Sequence, residues 1–369
     1  MKSYFLPPPG GIPDVWECLQ NEARPLLVWG MGNGADKLLR VFGERDITVS
    51  DFVASDGFVR GQSFHGRRVL SFVEAREKYA SPVVVMAFGT SRPDVLAYAG
   101  EIAGEFPLLI PDLPVAGETL FDAAYYAANY EALCAVRDLF ADETSRSLFA
   151  ALVIGKLTGD YKVLMDAWTD PAETAELLDI KTIKTYIDVG AYRGDTLTEL
   201  VGLGAPLVRA ICVEPDIKNF RKLEQMAAAL APLAVTCIQA AAWDREGTGC
   251  FFGSGNRNAS LCNASFENRP ADIPLVRIDT LAEGLAPDYI KYDTEGAEEP
   301  GLLGAALTIR RARPRLRVAA YHRTEDLIRL PNMLAELYPG ASLFLRRKRC
   351  LPAWETDIIV LPKGDTNDG

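Results

Sequence analysis

The chain has 369 residues, 49% of them apolar and 24% charged, which bounds it to an ordinary globular protein long enough for two or more domains. A formal charge of -11 argues against a general nucleic-acid binder, because a polyanion would have to dock against the field of the whole molecule. No run approaches the roughly 18 consecutive apolar residues that a membrane span needs, and prolines and glycines break the stretch Met1 to Gly11 before any secretion signal forms, so a cytoplasmic protein acting on a small molecule or saccharide is expected.

In chain order, residues 1–113 read as a Rossmann-like α/β domain. Leu26 to Trp29 is a strand, Gly30 to Ala35 a turn of G-x-G-x-x-A form, and Asp36 to Phe42 a helix. Ile47 to Asp51 predicts a second strand ending in an acid, and Pro82 to Phe88 a later strand followed by Gly89 and Thr90. The Gly30 turn supports two readings: a nucleotide or nucleotide-sugar pocket, or a scaffold used for packing. His65 sits in a polar stretch and reads as an exposed loop residue.

Residues 114–180 read as a helical connector. Glycine is sparse there, and Leu133, Val136, Leu139 and Phe140, then Leu148, Leu152 and Val153, fall at helical spacing, with a restart at Asp142 to Ser145. Interdomain packing is the expected role, with a cover over a ligand cleft as the alternative.

From 181 to 362 apolar strands alternate with helical stretches, which predicts a doubly wound parallel sheet, and 363–369 reads as a flexible tail. The strands are Tyr186 to Val189, Ala210 to Val213, Val235 to Gln239, Pro287 to Asp293 and Arg317 to His322. Ser342 to Arg346 and Asp357 to Leu361 are joined by too few residues for a crossover helix and should pair antiparallel.

Ligands of such sheets bind at the carboxyl ends of the strands, so the strand ends are where chemistry is expected. The first strand ends in Asp188 and breaks at Gly190, with Ala191, Gly194 and Asp195 leading into a helix; the second ends in Glu214 and Pro215, where a carboxylate can accept both hydroxyls of a ribose. The spacing is not G-x-G-x-x-G, and Asp188 and Asp195 suit a cationic S-adenosyl-L-methionine better than a pyrophosphate. Ala242 and Trp243 are placed to flank an adenine, although simple core packing explains Trp243 equally well.

Lys291 lies inside the fourth strand and needs an acid; Asp293 shares its face and Glu295 follows in the turn. His322 is a candidate general base for methyl transfer to a hydroxyl, with Asp293 the alternative base and a hydrogen-bonded core residue the alternative role for His322. The seven cysteines (Cys18, Cys134, Cys212, Cys237, Cys250, Cys262 and Cys350) form no C-x-x-C pair, so reduced thiols and no zinc site are expected. The basic runs Arg310 to Arg317 and Arg346 to Arg349 offer a phosphate or acidic-sugar contact, or simply a solvated face.

The stretches IDVGAYRGDT at 187–196, VEPD at 213–216, IDTL at 278–281, DYIKYDTEGAEEPGLLGA at 288–305 and YHRTEDL at 321–327 together resemble the FkbM family of S-adenosylmethionine-dependent methyltransferases. The resemblance implies a class I methyltransferase fold, S-adenosylmethionine as methyl donor and O-methylation of a sugar, glycan precursor or related small molecule. It places cofactor contacts at Asp188, Gly190, Gly194 and Glu214 and active-site roles near Asp293, Glu295 and His322. Family members differ in metal dependence, so those last three are an alternative set for a divalent ion. The remaining expectations are a possible homo-oligomer and, as rival readings, a nicotinamide-dependent oxidoreductase working from the Gly30 turn or a non-catalytic binding module.

Overall fold

The computed structural model describes residues 4–251 and 271–363, so Cys262 and all but the first residue of the expected tail lie outside it. Two doubly wound sheets organise the chain. In the first, β1 (Leu26–Trp29), β2 (Asp51–Ala54), β3 (Leu70–Ser71), β4 (Val83–Met86) and β5 (Leu108–Leu109) run parallel in the order β3-β2-β1-β4-β5. The pairings are all parallel. Every residue of β1, β2 and β4 is buried, as continuous apolar strands covered on both faces should be. Helix α1 (Asn33–Glu44) follows the glycine turn.

One expectation fails here. Asp51 begins the second strand instead of ending it, and Lys78 and Tyr79 bind its carboxylate at 2.6 and 2.5 Å. It is therefore at the wrong end of the sheet to hold a ribose.

The second half contains β6 (Thr185–Val189), β7 (Arg209–Val213), β8 (Ala234–Ile238), β9 (Ala241–Ala242), β10 (Gly247–Phe251), β11 (Ala271–Val276), β12 (Tyr289–Tyr292), β13 (Arg315–Ala319), β14 (Ser342–Arg347) and β15 (Thr356–Leu361). Seven of these form one sheet in the order β8-β7-β6-β12-β13-β15-β14. The first five of that order are parallel, and β15 lies antiparallel between β13 and β14, which matches the hairpin expected from the short connection. The small β9-β11-β10 sheet has no counterpart in the sequence reading. The register of the large sheet sets Asp188, Lys291 and Arg317 side by side across β6, β12 and β13.

Between the two sheets, α2 (Ala123–Leu139) and α3 (Glu143–Thr158) fill the seam. Asp142 caps α3 by accepting from the Ser145 amide, and Leu148 to Val153 are completely buried, with α3 packed along β14. The Lys156 ammonium of α3 is 2.7 Å from Asp112 at the end of the first domain, and the two side chains are only 3% and 4% exposed. Removing one member of such a pair leaves an uncompensated buried charge. Asp112→Ala is therefore expected to destabilise the protein by about 3–5 kcal/mol, read as a loss in urea unfolding free energy; a loss near zero would mean that the pair does not hold the seam.

Candidate active site

At the carboxyl ends of β6, β7, β12 and β13 lies a cavity of about 310 Å³. One end is built from Gly190, Tyr192, Asp195 and Thr196 after β6, Glu214 and Pro215 after β7, and Ala240 to Ala242 after β8. At Gly190 the backbone has φ 78°, and a Cβ there would overlap the Asp293 carbonyl, so the turn requires glycine. Helix α4 (Asp195–Gly202) then opens with its first-turn residue Asp195 on the cavity.

Glu214 is buried and accepts hydrogen bonds from the amides of Tyr192 at 2.8 Å and Asp216 at 2.9 Å. Burial pushes its carboxyl up to about 7, against the pull of those two amides. A carboxylate has roughly four lone-pair sites, so two donors leave acceptor capacity for a ligand.

The same cavity also carries a charged cluster, Lys291, Asp293, Glu295, Arg317, Lys348 and Glu355, with the Tyr321 ring, and Lys291 reaches the Gly190 carbonyl at 3.4 Å. Lys291 stands 3.6 Å from Asp188 and 3.5 Å from Asp293. Burial alone would push its ammonium down, but the two acids hold it well above its ordinary range, so it stays charged. Burial would raise Asp293 as well; Lys291, His322 and Arg317 outweigh it and bring the carboxyl down to about 2. The Tyr321 hydroxyl donates to Asp293 at 3.3 Å.

His322 is fully buried behind this wall, with Nδ1 3.0 Å from Glu298 and Nε2 3.4 Å from Asp293 and 3.5 Å from Glu295. Burial pulls the imidazole down, yet Glu298, Glu295 and Asp293 together lift it to about 10. Those three acids favour the imidazolium at neutral pH. A ring carrying both protons cannot accept a third, so this charge state favours Asp293, the alternative base, over His322. Glu298, the first residue of α6 (Glu298–Leu303), also accepts from the amide and hydroxyl of Thr294 at 2.7 and 3.0 Å and so fixes the turn that carries Glu295.

Of the residues expected at the site, Gly190, Asp195, Glu214, Pro215, Ala242, Lys291, Asp293 and Glu295 line the cavity. Asp188 lies beneath it as the counter-charge of Lys291, and Ala191 is a buried turn residue whose amide donates to Val213. Gly194, the N-cap of α4, has a left-handed backbone at φ 83° and lies against the Met226 side chain of α5 (Ile217–Ala229), outside the cavity lining. Trp243 packs with Ala241, Ile273 and Leu275 of the small sheet, away from the cavity. The basic runs are largely committed internally: Arg311 donates to the Ala282 and Leu285 carbonyls, Arg315 to Thr182, Arg317 to Asp357 and Arg346 to Asp142.

Glu298, Tyr321 and Glu355 do not stand out from sequence as site residues, whereas Arg317 and Lys348 belong to the two basic runs read as a phosphate or acidic-sugar contact or a solvated face. A buried histidine needs a carboxylate, and Glu295, Glu298 and Glu299 follow the fourth strand, but the sequence does not choose Glu298 among them. Backbone strain marks the site as well: Tyr192, Glu295 and Glu355 are non-glycine residues at φ 52°, 55° and 56°, and all three line the cavity.

Beside the turn that follows β1 lies a smaller cavity of about 90 Å³, lined by Asn33 and Gly34, by Ala87 to Gly89 after β4, and by Trp354 and Pro352 from the connection between β14 and β15. A Cβ at Gly89 would overlap the Trp354 ring, and one at Gly34 would overlap the Ala87 carbonyl.

Residues 188–341 match the family described as methyltransferase FkbM domain. A methyltransferase FkbM from Methylobacillus flagellatus KT superposes with a TM-score of 0.69 at 22% identity, over 97% of this chain and 94% of its own. That likeness extends the shared fold through the N-terminal sheet and the helical seam. A SAM-dependent methyltransferase from Aquifex aeolicus, at 15% identity, aligns with 52% of this chain and 88% of its own with a TM-score of 0.29. A putative methyltransferase from Streptococcus mutans in complex with SAH, at 10% identity, aligns with 52% and 97% at 0.34. No curated protein matches the chain significantly. The chain thus carries a methyltransferase FkbM domain over residues 188–341, and it is a methyltransferase.

Proposed function

We propose that the protein transfers a methyl group from S-adenosyl-L-methionine to a hydroxyl of a sugar, glycan precursor or related small molecule. The observation that carries this reading is a single cavity lined both by a buried, amide-held carboxylate at Glu214 and by a charged cluster built on Lys291, Asp293 and Glu295. Glu214, with two acceptor sites spare, fits the diol of a ribose, and Asp195 and Glu199 complement a cationic amino-acid moiety. S-adenosylmethionine supplies a methyl on a sulfonium cation.

Asp293 receives the acceptor hydroxyl in this scheme. As the oxygen gains the methyl carbon and the carbon–sulfur bond breaks, the hydroxyl proton becomes strongly acidic and passes to a carboxylate, so a base of low pKa is sufficient. Lys291 and His322 keep that carboxylate ionised, and Tyr321 and Glu298 hold its surroundings in place. The wall is rich in polar groups, which suits a polyhydroxyl acceptor. The described cysteines are free thiols and no described helix is long and apolar enough to cross a membrane, so the cytoplasm is the proposed location. A small molecule is the proposed partner, with self-association a further proposal for sedimentation to decide.

Glu214 gives a pH test. A ribose diol donates to the ionised carboxylate, whose folded pKa is raised from 4.5 to about 7, so S-adenosylhomocysteine affinity should climb as pH rises toward about 7 and level off above it. Glu214→Gln should flatten that profile in calorimetric titration; an unchanged profile would remove Glu214 from the donor site.

The same cluster permits one second reading. Asp293, Glu298 and His322 each offer a ligand atom, all within 4.8 Å of one another, and both His322 ring nitrogens are buried without a well-formed hydrogen bond. A neutral His322 with these acids would hold a divalent ion and so supply a Lewis acid. The imidazolium already balances the acids, so methyl transfer is expected to survive dialysis against EDTA; loss restored by Mg²⁺ or Mn²⁺ would favour the metal.

A further inference from the structure

We propose that the ligand crevice of the N-terminal sheet is occupied by the protein's own Trp354, and that this internal ligand positions Lys348 and Glu355 in the wall of the methyl-transfer cavity. In a doubly wound sheet a ligand sits beyond the carboxyl ends of the strands, here β1 and β4. Trp354 is seated there with the six-membered part of its ring against Gly89, where a side chain would leave no room for it. The seat is latched on one side by a two-way backbone bridge: the Thr90 amide donates to the Leu351 carbonyl at 2.7 Å, and the Leu351 amide donates to the Thr90 carbonyl at 2.9 Å.

A second latch lies inside the catalytic half. The buried Arg347 guanidinium donates to the carbonyls of Cys350, Pro352 and Trp354, and to those of Leu164 and Ala167 at the helical seam. The loop therefore has a fixed base and a fixed tip. Its two stems face the other way: Lys348 and Glu355, joined by the Lys348 amide to the Glu355 carbonyl at 3.1 Å, both line the large cavity.

Glu355 is the residue that needs this anchoring. Its left-handed backbone, at φ 56°, is a conformation that a glutamate keeps only when its surroundings impose it, and the peptide before it is held by Arg347 at the Trp354 carbonyl and the one after it by the Lys348 amide. Lys348 is held more loosely, by an exposed contact to Glu199 at 3.4 Å, and a pair of that kind contributes little by itself. A tryptophan buries a large rigid surface at low entropic cost, which makes it an effective plug. The first domain has in this way exchanged a nucleotide for a side chain, and its contribution to catalysis is to hold the acceptor end of the second domain in shape.

The test uses the full-length protein with Trp354→Ala, Trp354→Phe and Gly89→Ala, the last pushing the ring out without touching the loop. Hydrogen exchange is expected to speed up by about tenfold or more at the Thr90 and Leu351 amides in Trp354→Ala and Gly89→Ala, and to stay within about threefold of the parent in Trp354→Phe. S-adenosylhomocysteine affinity should change less than the acceptor's KM in all three, since Glu214 is not touched and the loop meets the donor residues only through the exposed contact of Lys348 to Glu199. For an acceptor methylated by the parent, which rests on the function proposed above, KM should rise several-fold in Trp354→Ala with kcat nearly constant, and Trp354→Phe should restore it. Unchanged exchange in both folded variants would overturn the proposal, as would saturable NADH binding to the parent protein that is lost on Gly32→Asp. Loss of S-adenosylhomocysteine binding by the parent would instead overturn the proposed function and leave the exchange result to decide the plug.

Discussion

Asp293→Asn is expected to lower the rate of methyl transfer by roughly 10²-fold or more, the usual range for loss of a positioned proton acceptor, while S-adenosylhomocysteine affinity changes only a few-fold. The asparagine keeps the shape of the side chain and can still accept from Tyr321, so the fold of the wall should persist. It cannot take the acceptor proton, and it no longer balances Lys291 and His322. Stopped-time assays on the variant, run beside calorimetry, separate the two effects. An undiminished rate would pass the role to Glu295, the other carboxylate of the turn that lines the cavity.

His322→Ala has the larger expected effect on stability, about 3–5 kcal/mol, because it strands the buried Glu298 carboxylate without its cation. Burial works against the imidazolium and the three acids work for it, with the net pKa raised from 6.5 to about 10. A cation stabilised in the folded state contributes fully below about pH 6.5, and that contribution fades as pH rises through about 10. The difference in unfolding free energy between parent and variant should therefore be widest at about pH 6.5 and below and shrink as pH rises from there toward about 10. A constant small difference would indicate a neutral histidine that serves as packing. A substantial rate remaining in folded variant protein would agree with a supporting role, since His322 stands behind Asp293 and does not line the cavity.

Short-range features of the molecule are the ones legible in the sequence. Strands β6, β7 and β12 can be read there because each is a short apolar run buried on both faces, and Asp188, Glu214 and Asp293 because polar residues at the ends of such runs have few structural excuses. The antiparallel ending follows from the length of the connection alone.

Pairing across strands is not legible. Lys291 announces a need for an acid, but only the register of β12 against β6 makes Asp188 its neighbour. The charge state of His322 is not legible for a related reason: it depends on three acids that converge from one turn and one helix start, and Glu298 among them is indistinguishable in sequence from Glu299, which is partly exposed and pairs with Arg329. Trp243 departs from its expected place because the small β9-β11-β10 sheet, which takes its side chain, depends on strands far apart in the chain. The Gly30 turn has the local form of a ligand site and folds as one. Trp354, more than 300 residues away, lines the cavity beside it and packs on Gly89, and no local pattern foretells that.

Whether the large cavity holds the methyl donor is decided by calorimetric titration of the full-length protein with S-adenosylhomocysteine, with Glu214→Ala alongside. One-site binding is expected for the parent, weakened by about 1–3 kcal/mol in the variant, the scale of lost hydrogen bonds to a charged group. No binding by the parent, or equal affinity in both proteins, would contradict the assignment of this cavity to the methyl donor.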